Sequence, residues 1–122
     1  ARQLRAQTEA AIFLACLPRP STQTCQTGGR ETEFAQLAAR GDGPFVSAWF
    51  DRMAGDLCAD IGVHFLPQPR ASLTADGMFT KEDYVSPRST TGAGNNAAQV
   101  NVEFACLVID QVAHALKTCS PA

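Results

Sequence analysis

Apolar residues recur at helical spacing most clearly between Gly43 and Gly62. Pro44 fits the first turn of a helix, and Gly62 fits its C-terminal end. Phe45 and Trp49 widen the apolar stripe, so the pattern predicts one long helix with Trp49 buried in the core. The stripe consists of Val46, Phe50, Met53, Leu57 and Ile61.

Three further stretches have a helical pattern. Residues 2–17 predict a first helix that ends at Pro18, because proline lacks the amide hydrogen that a helix needs. Residues 30–40 predict a second helix that ends at Gly41. Residues 97–117 predict the last helix, with Asn95 or Asn96 as its N-cap. The apolar side of that last helix comprises Val100, Phe104, Leu107, Val108, Val112 and Leu116.

The region between the third and last helices lacks such a pattern. Residues 63–66 and 77–80 are short candidate strands, which a turn at Asp76 and Gly77 would join into a hairpin. Residues 86–96 form a polar loop. The sequence therefore predicts a single domain, residues 1–122, of the mainly α class. Its expected architecture is a small four-helix bundle-like domain with an irregular insert between helices 3 and 4, which carries a short β-hairpin.

Five cysteines are scattered along the chain, at Cys16, Cys25, Cys58, Cys106 and Cys119. They form no C-x-x-C pair and have only two histidines to support them, which argues against a zinc site. We expect disulfides that staple the domain, with Cys16–Cys25 and Cys58–Cys106 as the first pairings to test. An odd cysteine would remain, free or joining two copies into a homodimer. The alternative is five reduced, buried thiols in a cytosolic protein.

The charge balance excludes one class of partner. Twelve acidic and ten basic residues give a net charge of −2, and the only lysines are Lys81 and Lys117. A nucleic-acid-binding protein needs a basic cluster, which the chain lacks, so we expect no nucleic-acid partner. No apolar run approaches the roughly 18 residues that span a bilayer, so we expect no membrane span.

Two motifs carry candidate chemistry. Residues 92–97 match G-x-G-x-x-A, but the flanking strands of a dinucleotide site are missing, which leaves a loop or an anion-binding helix start. Asp110 and His114 lie one helical turn apart, and Cys106 lies one turn before Asp110. Successive turns of one exposed helix make no cleft, so a solvated polar face explains these residues better. We therefore predict no metal site and no cofactor.

The leading hypothesis is an exported, non-enzymatic binding protein, secreted or periplasmic, that acts by protein–protein contact as an inhibitor, an immunity-type protein or an assembly accessory. The chain begins at Ala1 without a methionine, which suggests a processed product or an edited sequence. Residues 80–96 would meet the partner through Tyr84, Arg88 and Asn95, since tyrosine and arginine are enriched at interfaces; a plain mobile loop is the alternative. The rival hypothesis is a structural subunit of a larger complex. A small hydrolase that uses His114 is a distant alternative.

Overall fold

Four α-helices and two short strands make up the part of the chain that the structure, a computed structural model, describes: residues 1–22, 30–86 and 100–119. In chain order the elements are α1 (Arg2–Gln7), β1 (Phe13–Ala15), α2 (Arg30–Ala39), α3 (Gly43–Asp60), β2 (His64–Leu66) and α4 (Val102–Cys119). Single 3-10 turns form at Arg70–Ser72 and Glu82–Tyr84. None of the helices in these ranges has the length and hydrophobicity needed to cross a membrane.

β1 and β2 form a parallel two-stranded sheet, in which Phe13 pairs with His64 and Ala15 with Leu66. The amide of Cys16 donates a hydrogen bond to the carbonyl of Leu66 at 2.9 Å and extends the pairing by one residue. Parallel strands need a long crossover connection, and here it contains α2 and α3. The described residues do contain four helices, as predicted, but the bundle arrangement is wrong, because α2 and α3 belong to a β–α–α–β unit.

The predicted first helix is also wrong beyond its opening turns. α1 ends at Gln7, and Thr8 is already extended, at φ −149° and ψ 145°. The apolar run that follows fits a buried helix and a strand equally well, and hydrogen bonds to β2 select the strand. The guanidinium of Arg5 donates hydrogen bonds to the carbonyls of Thr8 and Gly62, which joins the end of α1 to the residue that precedes β2 by two positions.

α2 and α3 lie close to where the sequence placed them, but most of the apolar stripe predicted for α3 faces solvent. Gly41 and Gly62 have φ values of +80° and +69°, as expected of glycines that end helices. The buried side of α3 carries Gly43 and Cys58, whereas Trp49 is 46% exposed. The prediction of a buried Trp49 is thus wrong. In the predicted stripe, Phe50 is 47%, Met53 42% and Leu57 62% exposed.

α4 begins later than predicted, and its cap is Asn101. The Asn101 side-chain oxygen accepts a hydrogen bond from the amide of Phe104 at 3.1 Å, as an N-cap does. Asn95 and Asn96, the predicted caps, lie outside the described residues. Phe104 is buried, as its place on the predicted apolar side requires, but Leu116 on the same side is 47% exposed.

The predicted hairpin between residues 63–66 and 77–80 does not form, because β2 pairs with β1. Gly77, at φ +72°, instead lies in a turn that brings Thr80 beside Leu73 in an isolated antiparallel bridge.

The stapling prediction is wrong as well. Cys16, Cys58, Cys106 and Cys119 all carry free thiols, and Cys25 lies outside the described residues. Cys58, buried on α3, and Cys106, exposed on α4, are both free, so the predicted Cys58–Cys106 pairing is absent. Cys16 is free, which also removes the Cys16–Cys25 pairing. The core forms without the described cysteines being linked, around Val63, Leu66, Met78, Phe79 and Phe104.

Candidate functional site

Each strand is followed by a Pro-x-Pro segment, and the two central residues, Arg19 and Gln68, meet in the interior. The backbone amide of Arg19 donates to Oε1 of Gln68 at 2.8 Å. Nε2 of Gln68 donates to the hydroxyls of Ser72, at 3.1 Å, and Thr80, at 2.9 Å. Thr80 in turn donates to the carbonyl of Arg19 at 2.5 Å, which closes a ring of hydrogen bonds. The ring fixes the carboxyl ends of both strands relative to each other.

The side chain of Arg19 continues this network toward α3. It is only 9% exposed, and its Nη2 lies 3.3 Å from Oδ1 of Asp51. The Nη1 atom is buried and has no hydrogen-bond partner among the residues that the structure describes. A buried guanidinium needs a carboxylate nearby, so Asp51 stabilises the charge that Arg19 brings inside.

A polar cleft of about 730 Å³ opens beside the hydrogen-bonded ring, where the chain leaves β2. Its ionic side chains are Asp51, Arg70, Asp76 and Lys81. Oδ1 of Asp76 accepts hydrogen bonds from the hydroxyl of Thr74, at 2.6 Å, and from a backbone amide, at 3.0 Å. Gln111 reaches the cleft from α4 and donates to the carbonyl of Pro67 at 2.9 Å. The remaining lining residues are Pro44, Ser47, Ala48, Gln68, Leu73, Ala75 and Gly77.

An apolar groove of about 520 Å³ also runs along α3 and shares Ser47 with the polar cleft. Burial raises the pKa of the Cys16 thiol, which lines the groove, and the nearby Arg19 charge offsets only part of that rise. Cys16 therefore stays a neutral thiol and behaves as a small apolar group. The other lining residues are Leu14, Ala15, Leu17, Pro18, Arg19, Pro20, Val46, Ser47, Phe50, Ala54, Phe65 and Met78.

Next to this groove, α3 presents a continuous apolar surface to solvent, which we call the α3 stripe. It comprises Phe45, Trp49, Met53 and Leu57, which follow one another at intervals of four residues and are 72%, 46%, 42% and 62% exposed. Residues four apart lie on one side of a helix, so the stripe runs the length of α3. Asp42, Asp56 and Asp60 are exposed beside it or at its ends, and so is Arg52.

A thiol and an imidazole meet where α4 ends beside β2. Sγ of Cys119 lies 3.7 Å from both ring nitrogens of His64, and the His64 ring stacks on Phe13 at a centroid distance of 5.2 Å. Both Cys119 and His64 are exposed, so this pair lies on the surface and forms no cleft. Within the described ranges, no group of three or more metal-ligating side chains comes together.

Of the three residues predicted to bind a partner, only Tyr84 lies within the described residues. Tyr84 is half-buried, and its carbonyl accepts a hydrogen bond from the amide of Asn101 at 3.0 Å. Arg88, Asn95 and the glycine motif at 92–97 lie outside the described residues. His114 is exposed on α4, and no hydrogen bond joins it to Asp110 in the described part of the chain.

Sequence reasoning missed the ring of Arg19, Gln68, Ser72 and Thr80, although one signal was present. Two apolar runs each end in Pro-x-Pro, at Pro18-Arg19-Pro20 and at Pro67-Gln68-Pro69. Proline cannot continue the hydrogen bonds of a sheet, so the repeat marks two similar strand ends. It is this shared ending that brings Arg19 to Gln68.

Comparison with known proteins gives no further guide: no protein-family model, curated protein or solved structure matches this chain.

Proposed function

We propose that this chain is a protein-binding domain whose partner covers the α3 stripe. The observation that carries the proposal is the exposure of Phe45, Trp49, Met53 and Leu57 in one continuous row. Isolated apolar side chains are common on protein surfaces, but contiguous patches of several hundred Å² mark interaction sites. An aromatic residue buries roughly 200 Å² when covered, so the stripe and the adjoining Phe50 offer on the order of 300 Å² of aromatic surface.

The area of this surface is too small for tight binding, so the partner needs a second contact. Covering about 300 Å² contributes roughly 7 kcal/mol at about 25 cal/mol per Å². Association costs about 4–15 kcal/mol in lost freedom of motion, so the stripe alone supports only weak binding. The apolar groove supplies a second element, because Phe50 lies at its edge and continues the stripe into it. A side chain inserted there would act as the buried anchor that stable interfaces contain.

Charge favours one kind of partner over a second copy of this chain. Asp42 and Asp60 lie at the two ends of the stripe, so an antiparallel pair of α3 helices would bring them together. Like charges in contact oppose such pairing. The three carboxylates around the stripe instead favour an amphipathic helix whose apolar seam is flanked by lysine or arginine. An exported location was inferred from paired cysteines, and with free thiols that argument is lost, so the proposal concerns binding alone.

Two synthetic helical peptides with the same leucine seam test this proposal, one flanked by lysine and the other by glutamate. Trp49 is the only tryptophan, so its emission reports directly on the stripe. We expect the lysine peptide to shift Trp49 emission to shorter wavelength and to bind about tenfold more tightly than the glutamate peptide. Added salt should reduce the difference, because the carboxylates are exposed.

Variants locate the binding surface. Phe45→Glu together with Leu57→Glu should weaken binding of the lysine peptide by about tenfold or more, since both ends of the stripe lose their apolar contact. The matched control is Ile109→Glu, a similar change at a side chain on α4 that is 65% exposed. The proposal fails if neither peptide changes Trp49 emission, or if the control variant loses as much affinity as the stripe variant.

A further inference from the structure

The polar cleft lies where parallel sheets usually hold their ligands. In folds built on parallel strands, ligands bind beyond the carboxyl ends of the strands. Pro67 and Gln68, which line the cleft, are the first residues after β2, and Arg19, four residues beyond the end of β1, pairs with Asp51 in the cleft wall. The volume of about 730 Å³ falls within the roughly 300–1,000 Å³ of small-molecule sites.

The two cations of the cleft lack the partners that its two carboxylates have. Asp51 is paired with Arg19, and Asp76 accepts two hydrogen bonds from its own turn. By contrast, neither Arg70 nor Lys81 lies within ion-pair distance of a carboxylate in the part of the chain that the structure describes. Arg19 lies outside the cleft lining, but its charge offsets that of Asp51, so Arg70 and Lys81 face one remaining carboxylate, Asp76.

Backbone hydrogen bonds connect the two segments that carry these cations. The amide of Lys81 donates to the carbonyl of Ser72 at 2.8 Å, and Ser72 belongs to the 3-10 turn that begins at Arg70. Ser72 is fully buried and Thr80 is 2% exposed, so the segments that carry Arg70 and Lys81 are fixed from below by the hydrogen-bonded ring. A site assembled on buried hydrogen bonds loses little order when a ligand binds.

We propose that the polar cleft binds a small molecule through a phosphate group, with Arg70 and Lys81 as its charged contacts. Arginine offers paired donors that match phosphate oxygens, and lysine adds a point charge. Gln111 and Ser47 line the same cleft and would lie beside the part of the ligand that does not carry the phosphate. Arg70 and Lys81 do not line the apolar groove, and no residue of the α3 stripe lines the cleft, so the two proposed sites use different contacts.

Calorimetric titration of the full chain with glucose 6-phosphate, inorganic phosphate and glucose tests the proposal. We expect saturable binding of at least one of the two phosphate-bearing probes and none of glucose. Tighter binding of glucose 6-phosphate identifies a phosphate ester as the ligand class, and equal binding identifies free phosphate. Glucose binding as tightly as its phosphate, or no saturable binding of either anion, overturns the proposal.

Substitutions then assign the contacts. Arg70→Gln and Lys81→Gln should each weaken binding of the phosphate probe by about tenfold, as loss of a hydrogen bond to a charged group does. Arg40→Gln removes the same charge from an exposed arginine after α2, outside the cleft, and should leave the affinity unchanged. If Arg40→Gln weakens binding as much as the cleft variants do, the attraction is only the general charge of the protein and the proposed site is wrong.

Discussion

The two sides of α3 differ in the size of their side chains and in what covers them. The covered side carries Gly43, Ser47 and Cys58, and a Cβ atom built on Gly43 would collide with Cγ of Met78. The uncovered side carries Phe45 and Trp49 among its large apolar residues. Small residues let a helix approach its neighbours closely, so the close packing inside this chain uses one side and leaves the other exposed. An apolar stripe in the sequence therefore shows that one side of a helix is suited to burial. It does not show that the same chain covers that side.

The largest expected effect comes from the covered side. Met78 is 1% exposed and packs against α3, so Met78→Ala should lower the free energy of unfolding by about 2–5 kcal/mol through the cavity it leaves. Met53→Ala removes the same side chain from the α3 stripe, where it is 42% exposed, and should cost less than about 1 kcal/mol. Urea unfolding of both variants measures the contrast. Equal losses would mean that the two sides of α3 are equally packed.

Removal of the Thr80 hydroxyl tests how much the hydrogen-bonded ring contributes to stability. Thr80→Val keeps the shape of the side chain but leaves Nε2 of Gln68 and the carbonyl of Arg19 each short of one hydrogen bond. Unsatisfied buried groups cost about 1–3 kcal/mol, so stability should fall by that amount. Thr118→Val is the control, because Thr118 is exposed on α4 and bonds only within its helix. A neutral Thr80→Val would show that the ring contributes nothing to stability.

Two glycines of α3 separate packing from helix propensity. Gly43→Ala should lower the free energy of unfolding by about 1–3 kcal/mol, since the added methyl group displaces Met78. Gly55→Ala should raise it by roughly 0.5–1 kcal/mol, because a Cβ there meets nothing within 4 Å and alanine favours a helix. Thermal unfolding should therefore shift in opposite directions. A stabilising Gly43→Ala would contradict the close approach of α3 to Met78.

The smallest effect concerns thiol chemistry. Because burial raises the pKa of the Cys16 thiol, its alkylation should be slower than that of exposed Cys106 and should keep accelerating to higher pH. The same raised pKa means that Cys16 contributes stability below the pKa of the unfolded thiol, which is lost as pH rises toward the folded value. Mass spectrometry after timed iodoacetamide treatment resolves the sites. Cys16 reacting as fast as Cys106 across the pH range would contradict its burial.

Local patterns predicted much of the helical structure and little of its arrangement. Gly41 and Gly62 marked helix ends because glycine alone readily adopts positive φ, which is a local property. β1 was missed because its apolar run suits a helix as well as a strand, and only β2, far along the chain, decides between them. The polar cleft was missed for the same reason, since Asp51, Arg70 and Lys81 meet through tertiary packing.

The hydrogen-bonded ring also bears on the order in which the chain folds. Thr80 and Arg19 are 61 residues apart, and Arg19 and Gln68 are 49 apart, so the ring closes only after the long crossover has brought the strand ends together. Closing so long a loop costs entropy that a few hydrogen bonds do not offset, so we expect this ring to form after the rate-limiting step. We therefore expect loss of the Thr80 hydroxyl to leave the refolding rate almost unchanged and to accelerate unfolding. On this prediction, the hydrogen bonds of Gln68 form only after most of the chain has folded.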